Sequence, residues 1–130
     1  MVGILLITHA PLGRAFIEAV THVYKDAPER LEALDVVADQ EPSEVLRLAS
    51  DAIARINDGS GVLVLTDVIG ATPANCTQSL CVPGEIEVIA GVSMPMLLRA
   101  ISYRNNTLET LTELALTGGQ KGVCRVAGKT

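Results

Sequence analysis

The stretch Leu65-Thr66-Asp67-Val68-Ile69-Gly70-Ala71-Thr72-Pro73-Ala74-Asn75 sets the fold class. An apolar run, Gly61 to Leu65, ends in an acidic residue; a turn containing Gly70 follows, and Thr72 and Pro73 stand where a helix begins. Thr72 suits the N-cap, and Pro73 suits the first helical position, where its missing N–H costs nothing. A helix start leaves backbone N–H groups unpaired with partial positive charge behind them, so a dianion such as a phosphoryl group sits well there. The spacing predicts a third strand over Gly61 to Thr66 and a third helix from Pro73 to about Cys81.

The same alternation extends in both directions. Val2 to Thr8 is a continuous apolar run, the pattern of a strand buried on both faces. His9-Ala10 makes a short loop, and Leu12, Phe16, Ala19, Val20 and Val23 fall at helical spacing up to Tyr24. Leu31 to Val37 reads as a second strand with Leu34, Val36 and Val37 inward. The stripe from Val45 to Ile56 reads as a second helix. Beyond the opening stretch, Ile86 to Ala90 is a fourth strand. Ser93 and Pro95 start a helix that runs to about Tyr103, and Thr107 caps a last one ended by Gly118-Gly119. Lys121 to Val126 reads as a fifth, edge strand.

Strands alternating with helices predict one α/β domain over residues 1–130 with a doubly wound, mostly parallel sheet in the order 2-1-3-4. In that order the winding reverses between the first and third strands, and ligands bind outside the strand ends at the reversal. The first strand ends at His9 and the third at Asp67, so both reach one crevice. A neutral imidazole is a nucleophile toward phosphorus when one nitrogen is free and the other carries the proton. A carboxylate on the proton-bearing nitrogen fixes that tautomer and steadies the positive ring formed in the reaction. His9 is thus the candidate nucleophile and Asp67 its orienting acid. The N–H groups near Ala71, Thr72 and Asn75, with the Thr72 hydroxyl, are the candidate phosphoryl donors. Taken singly, each has a plainer role: His9 as a loop residue, Asp67 as a partner of turn amides, Thr72-Pro73 as an ordinary helix start.

Composition narrows the partners. Aromatics make up 2% of the chain and the net charge is −5, which disfavours a nucleic-acid surface. The three cysteines have no metal-ligand spacing and are expected as reduced thiols packed like small apolar residues. His22 falls within the first helix, away from the strand ends, and Met94 and Met96 are expected to pack. No run reaches membrane-spanning length and the apolar start lacks a signal-peptide pattern, so a cytoplasmic location is expected.

Three motifs then carry a resemblance over essentially the whole chain: Gly3-Ile4-Leu5-Leu6-Ile7-Thr8-His9, Thr66 to Asn75, and Val88-Ile89-Ala90-Gly91-Val92-Ser93-Met94-Pro95-Met96-Leu97. The chain resembles the EIIA component of the mannose-type branch of the phosphoenolpyruvate-dependent sugar phosphotransferase system. The resemblance implies that His9 accepts a phosphoryl group from the carrier HPr at Nε2 and passes it to an EIIB partner, here a separate polypeptide. It implies that Asp67 holds Nδ1 and that the Thr72 hydroxyl lies near the phosphoryl group, with no metal or cofactor. It also implies a homodimer in which the C-terminal strand lies antiparallel at the sheet edge and is exchanged between subunits. Ala10 and Ser93 depart from the Gly and Asn that the family often carries, and both lie on the rim that a partner meets. A regulatory phosphoprotein with the same histidine chemistry is the alternative. A receiver domain phosphorylated on Asp67 would need acidic Mg²⁺ ligands where Thr8-His9 stands. A flavin or nucleotide binder would want a Gly-x-Gly-x-x-Gly turn that is absent after the first strand.

Overall fold

A computed structural model describes residues 1–68 and 72–128, with the backbone alone for Thr72 and Ala74. Strand β1 (Gly3–His9) lies between β2 (Leu31–Val36) and β3 (Val62–Thr66), and β4 (Ile86–Ala90) flanks β3. The order is β2-β1-β3-β4, as the sequence predicts, and these strands pair in parallel throughout; the antiparallel edge strand expected over Lys121 to Val126 is not among them.

The unbroken apolar run of β1 is explained by two cores. Ile4 and Leu6 point to one face of the sheet and Leu5 and Ile7 to the other, and all four are fully buried. On the first face α1 (Leu12–Tyr24), α4 (Met94–Ser102) and α5 (Leu108–Lys121) supply Val20, Leu97 and Leu111. On the second, α2 (Pro42–Ile56) supplies Val45, Ala49 and Ile53, and Cys76 and Leu80 close its end. The cap residues act as expected: Ser93 Oγ accepts the Met96 N–H at 3.3 Å, and Thr107 Oγ1 accepts the Thr110 N–H at 3.2 Å.

Several expectations are corrected. The third helix, α3, spans Thr72–Thr77 and then tightens into a 3₁₀ turn over Gln78–Leu80. Thr72 is therefore helical, and the capping position before it lies outside the described residues. On α1 Gly13 and Val20 are buried and Phe16, Ile17 and Ala19 partly so, while Leu12 and Val23 are exposed. Val37 is 56% exposed, because the chain leaves the sheet at Val36 and turns there. Of the cysteines only Cys76 is buried; Cys81 and Cys124 are free and exposed.

The largest correction is at the C-terminal end. Gly118-Gly119 does not end α5, which continues to Lys121. These glycines let α5 lie close on α4: a Cβ at Gly118 would fall 2.9 Å from Arg99 Cβ, and one at Gly119 would fall 2.6 Å from Met96 Cε. Residues 123–128 follow as an exposed segment without strand structure, and among the described residues they pair with no strand of this chain.

Arg104 is a structural residue that the sequence presents only as part of a polar break. It is 5% exposed and donates to the carbonyls of Val2 (3.0 Å), Glu29 and Arg30 (2.8 Å), tying the entries of β1 and β2 to the end of α4. Burial, then the neighbouring Arg30 charge, lowers its pKa, with Glu29 and Asp58 opposing. Arg104→Ala leaves those carbonyls without their donor and is expected to cost about 2–4 kcal/mol in urea unfolding. An unchanged urea midpoint would show the clamp to be dispensable.

Candidate functional site

The parallel register of β1 and β3 ends with Ile7 paired to Thr66, so Asp67, just past β3, lies beside the last residues of β1, Thr8 and His9, which still pair with β2. The loop after β4 fixes the end of β3: the Gly91 N–H donates to the Asp67 carbonyl at 2.8 Å and the Val92 N–H to the Thr66 carbonyl at 3.0 Å. The two carboxylate oxygens of Asp67 are then divided. Oδ1 accepts the Val68 N–H at 2.8 Å. Oδ2 accepts the His9 backbone N–H at 3.0 Å and faces His9 Nδ1 at 2.7 Å. One oxygen therefore holds both the backbone and the ring of the same residue.

Electrostatics assign the proton in this contact. Burial pushes the Asp67 carboxyl up, but the His9 backbone N–H, the His9 ring and the Val68 N–H together outweigh it and hold the carboxyl below its usual range. An ionised carboxylate only accepts, so the Nδ1 that faces it carries a hydrogen, and in a neutral ring Nε2 is then the free nitrogen. The Asp67 side chain is 9% exposed and that of His9 is 52% exposed, so the acid is anchored while the ring reaches outward.

His9 opens on a groove of about 850 Å³ walled by Val37, Asp39, Gln40, Glu41 and Pro73. Its ionisable wall residues, Asp39 and Glu41, are acidic. The turn that forms this wall is built locally: Gln40 Oε1 accepts the Val37 N–H at 3.1 Å, and Asp39 takes a φ of 64°.

The structure thus brings His9 and Asp67 together. Asn75 is exposed on α3, Thr72 is described by its backbone alone, and Ala71 lies outside the described residues together with Ile69 and Gly70. His22 is exposed in the last turn of α1. Sequence reasoning overlooked Asp35, whose Oδ1 accepts the Gly13 N–H at 2.9 Å beside the His9 turn. The available signal was an acid at a position of β2 in phase with Leu31 and Ala33, which pack on the first core.

With this geometry in place, comparison with known proteins assigns the family. The family model described as "PTS system fructose IIA component", EIIA-man, matches residues 3–115. The chain is 33% identical over 107 residues to the sorbose-specific EIIA component of Lacticaseibacillus casei, covering 79% of this chain and 74% of that one. It is 30% identical over 104 residues to the mannose-specific EIIAB component of Escherichia coli K12, covering 78% of this chain. That match takes in 32% of the E. coli protein, so the chain spans about a third of its length. Among solved structures, a phosphotransferase system component EIIA from Streptococcus agalactiae superposes with a TM-score of 0.86 at 21% identity, covering 96% of this chain and 97% of that one. The fold and the matched residues define a protein of the sugar phosphotransferase system. The chain belongs to its mannose-type EIIA family. Among the described residues no helix is long and apolar enough to cross a membrane.

Proposed function

We propose that the protein carries a phosphoryl group on Nε2 of His9, receiving it from phosphorylated HPr and giving it to an EIIB partner in sugar uptake. The 2.7 Å contact between His9 Nδ1 and Asp67 Oδ2 is the observation that carries this reading. In the forward step the Nε2 lone pair forms a bond to phosphorus as the phosphorus–nitrogen bond in the donor breaks, and that electron pair returns to the donor ring. The His9 ring becomes cationic while bonded to phosphorus, and Asp67 supplies the opposing charge without moving. Phosphoryl transfer rests mainly on positioning and electrostatics, so the remaining need is for donors to the phosphoryl oxygens. Backbone N–H groups near Ala71, Thr72 and Asn75, with the Thr72 hydroxyl, fill that role in this proposal. The acidic groove wall at Asp39 and Glu41 suits a partner with a basic face.

The same reading makes the working unit a cytoplasmic homodimer, in which the exposed segment 123–128 pairs antiparallel with the sheet edge of a second copy. Light scattering at working concentration reads this directly, and a monomer mass rules it out. The transfer itself is tested with phosphoenolpyruvate, purified Enzyme I and HPr. The expected product is an acid-labile, base-stable label on this protein that moves on to an EIIB domain. No label, with the carriers active on a control acceptor, overturns the proposal. A label that passes to no EIIB, but changes which proteins bind the chain, supports a regulatory phosphoprotein instead.

A further inference from the structure

We propose that Asp35 is a positioning residue for His9: by holding the start of α1 it fixes the turn that places the imidazole on Asp67. The inference rests on the phosphoryl-carrier reading of His9 and extends it to a residue that touches neither the ring nor the phosphoryl group.

The turn between β1 and α1 is short and is held at both ends. At its beginning, His9 gives its backbone N–H to Asp67. At its end, Gly13 gives its backbone N–H to Asp35 Oδ1 at 2.9 Å. Between them the Ala10 N–H donates to the Val36 carbonyl at 3.0 Å. The register sets the second anchor, because β2 pairs Asp35 with Thr8 and Val36 with His9. Two carboxylates, Asp35 on β2 and Asp67 just past β3 on the other side of β1, thus bracket the His9 turn.

Helix α1 needs this outside anchor. Pro11 stands at its N-cap and gives no side-chain cap, and the first turn holds no acidic residue of its own. The leading N–H groups of a helix lack partners within it, and their end carries partial positive charge. Asp35 supplies both an acceptor and a negative charge from the neighbouring strand. The space for it is reserved: a Cβ at Gly13 would lie 2.7 Å from Asp35 Oδ1, 2.9 Å from Ala33 Cβ and 3.1 Å from Thr8 Oγ1.

The consequence falls on His9 because little else holds it. Its side chain is 52% exposed, so packing does not define the ring position. The backbone and Asp67 must do so. Slack at the start of α1 lets the turn drift, the Nδ1 contact loosens, and the ring is no longer locked with its hydrogen on Nδ1. A small displacement of a reacting group costs about 10- to 100-fold in rate.

The test compares Asp35→Ala with Asp35→Asn, which keeps an amide oxygen able to accept the Gly13 N–H. Two properties of folded protein are read: the His9 tautomer by ¹⁵N NMR of the imidazole, and the phosphorylation rate with phosphoramidate as a small donor. Asp35→Ala is expected to lose the single Nδ1–H tautomer and to slow by about 10- to 100-fold, with Asp35→Asn close to wild type. Gly13→Ala, which keeps the N–H but displaces the carboxylate, is expected to move the tautomer in the same direction. Asp35→Ser, too short to span the gap, takes the place of the alanine variant if that chain does not fold. A folded alanine or serine variant with wild-type tautomer and rate overturns the proposal. The tautomer is read without any donor, so wild-type protein that takes no phosphoryl group counts against the carrier function, and the tautomer comparison still decides the role of Asp35.

Discussion

His9→Ala is expected to take up no phosphoryl label from phosphorylated HPr, under conditions in which wild-type protein is labelled fully. The effect is all-or-none because the proposed bond is made to His9 Nε2 and no neighbouring group replaces it. The chain has two histidines. His22, exposed in the last turn of α1, therefore provides the control: His22→Ala is expected to label like wild type. Acid-labile label persisting on His9→Ala and vanishing from His22→Ala would move the site to α1 and end the strand-end mechanism. The substituted His9 side chain is exposed, so circular dichroism and urea midpoint are expected to stay near wild type.

Asp67→Ala is expected to slow phosphoryl uptake by about 10²-fold or more while leaving the chain folded. The carboxylate accepts the His9 backbone N–H and faces the ring at Nδ1; in the proposed mechanism it also fixes the ring tautomer and opposes the charge on the phosphorylated ring. Asp67→Asn separates them, since the amide oxygen still accepts a hydrogen bond but carries no charge. A rate for the asparagine variant near that of the alanine variant makes charge the larger contribution; a rate near wild type makes it hydrogen bonding. An unchanged rate in Asp67→Ala would reduce Asp67 to a turn residue. The pH dependence follows from the same contact. The Asp67 carboxyl is held below its usual range in the folded protein. Its contribution to stability is therefore present above the unfolded carboxyl value, about 3.9, and is lost as pH falls through the lower folded value. Wild-type protein is expected to lose stability more steeply than Asp67→Ala below about pH 4, as acid titration of the urea midpoint would read.

The features that were legible in the sequence are those written in local pattern or in strand ends. The run Ile4-Leu5-Leu6-Ile7 has no polar alternation, and only a strand covered on both faces has that need. Ser93 and Thr107 act on amides three residues ahead, so their role lies within a few residues of sequence. His9 and Asp67 were found because a 2-1-3-4 order makes their strands neighbours. Arg104 and Asp35 were not, because each serves a backbone group far along the chain and local sequence does not name a distant acceptor or donor. Gly118-Gly119 misled for a different reason. Glycine gives the same signal at a helix end as at a close crossing of two helices, and only the position of Arg99 and Met96 distinguishes them. Val37 follows Val36 as a second β-branched apolar residue but lies past the last paired residue of β2, where a turn built by Gln40 takes over.

If the proposed carrier function holds, the outward reach of the His9 ring, 52% exposed above an anchored acid, has a kinetic meaning. A ring that two differently shaped proteins must each approach cannot be enclosed. The opening that admits them also admits water, and every phosphorylated molecule then has two exits: delivery to the next protein or hydrolysis. What such a carrier conserves is set by the ratio of those two rates. Residues that hurry the hand-over protect the energy of the bond as effectively as any lid would.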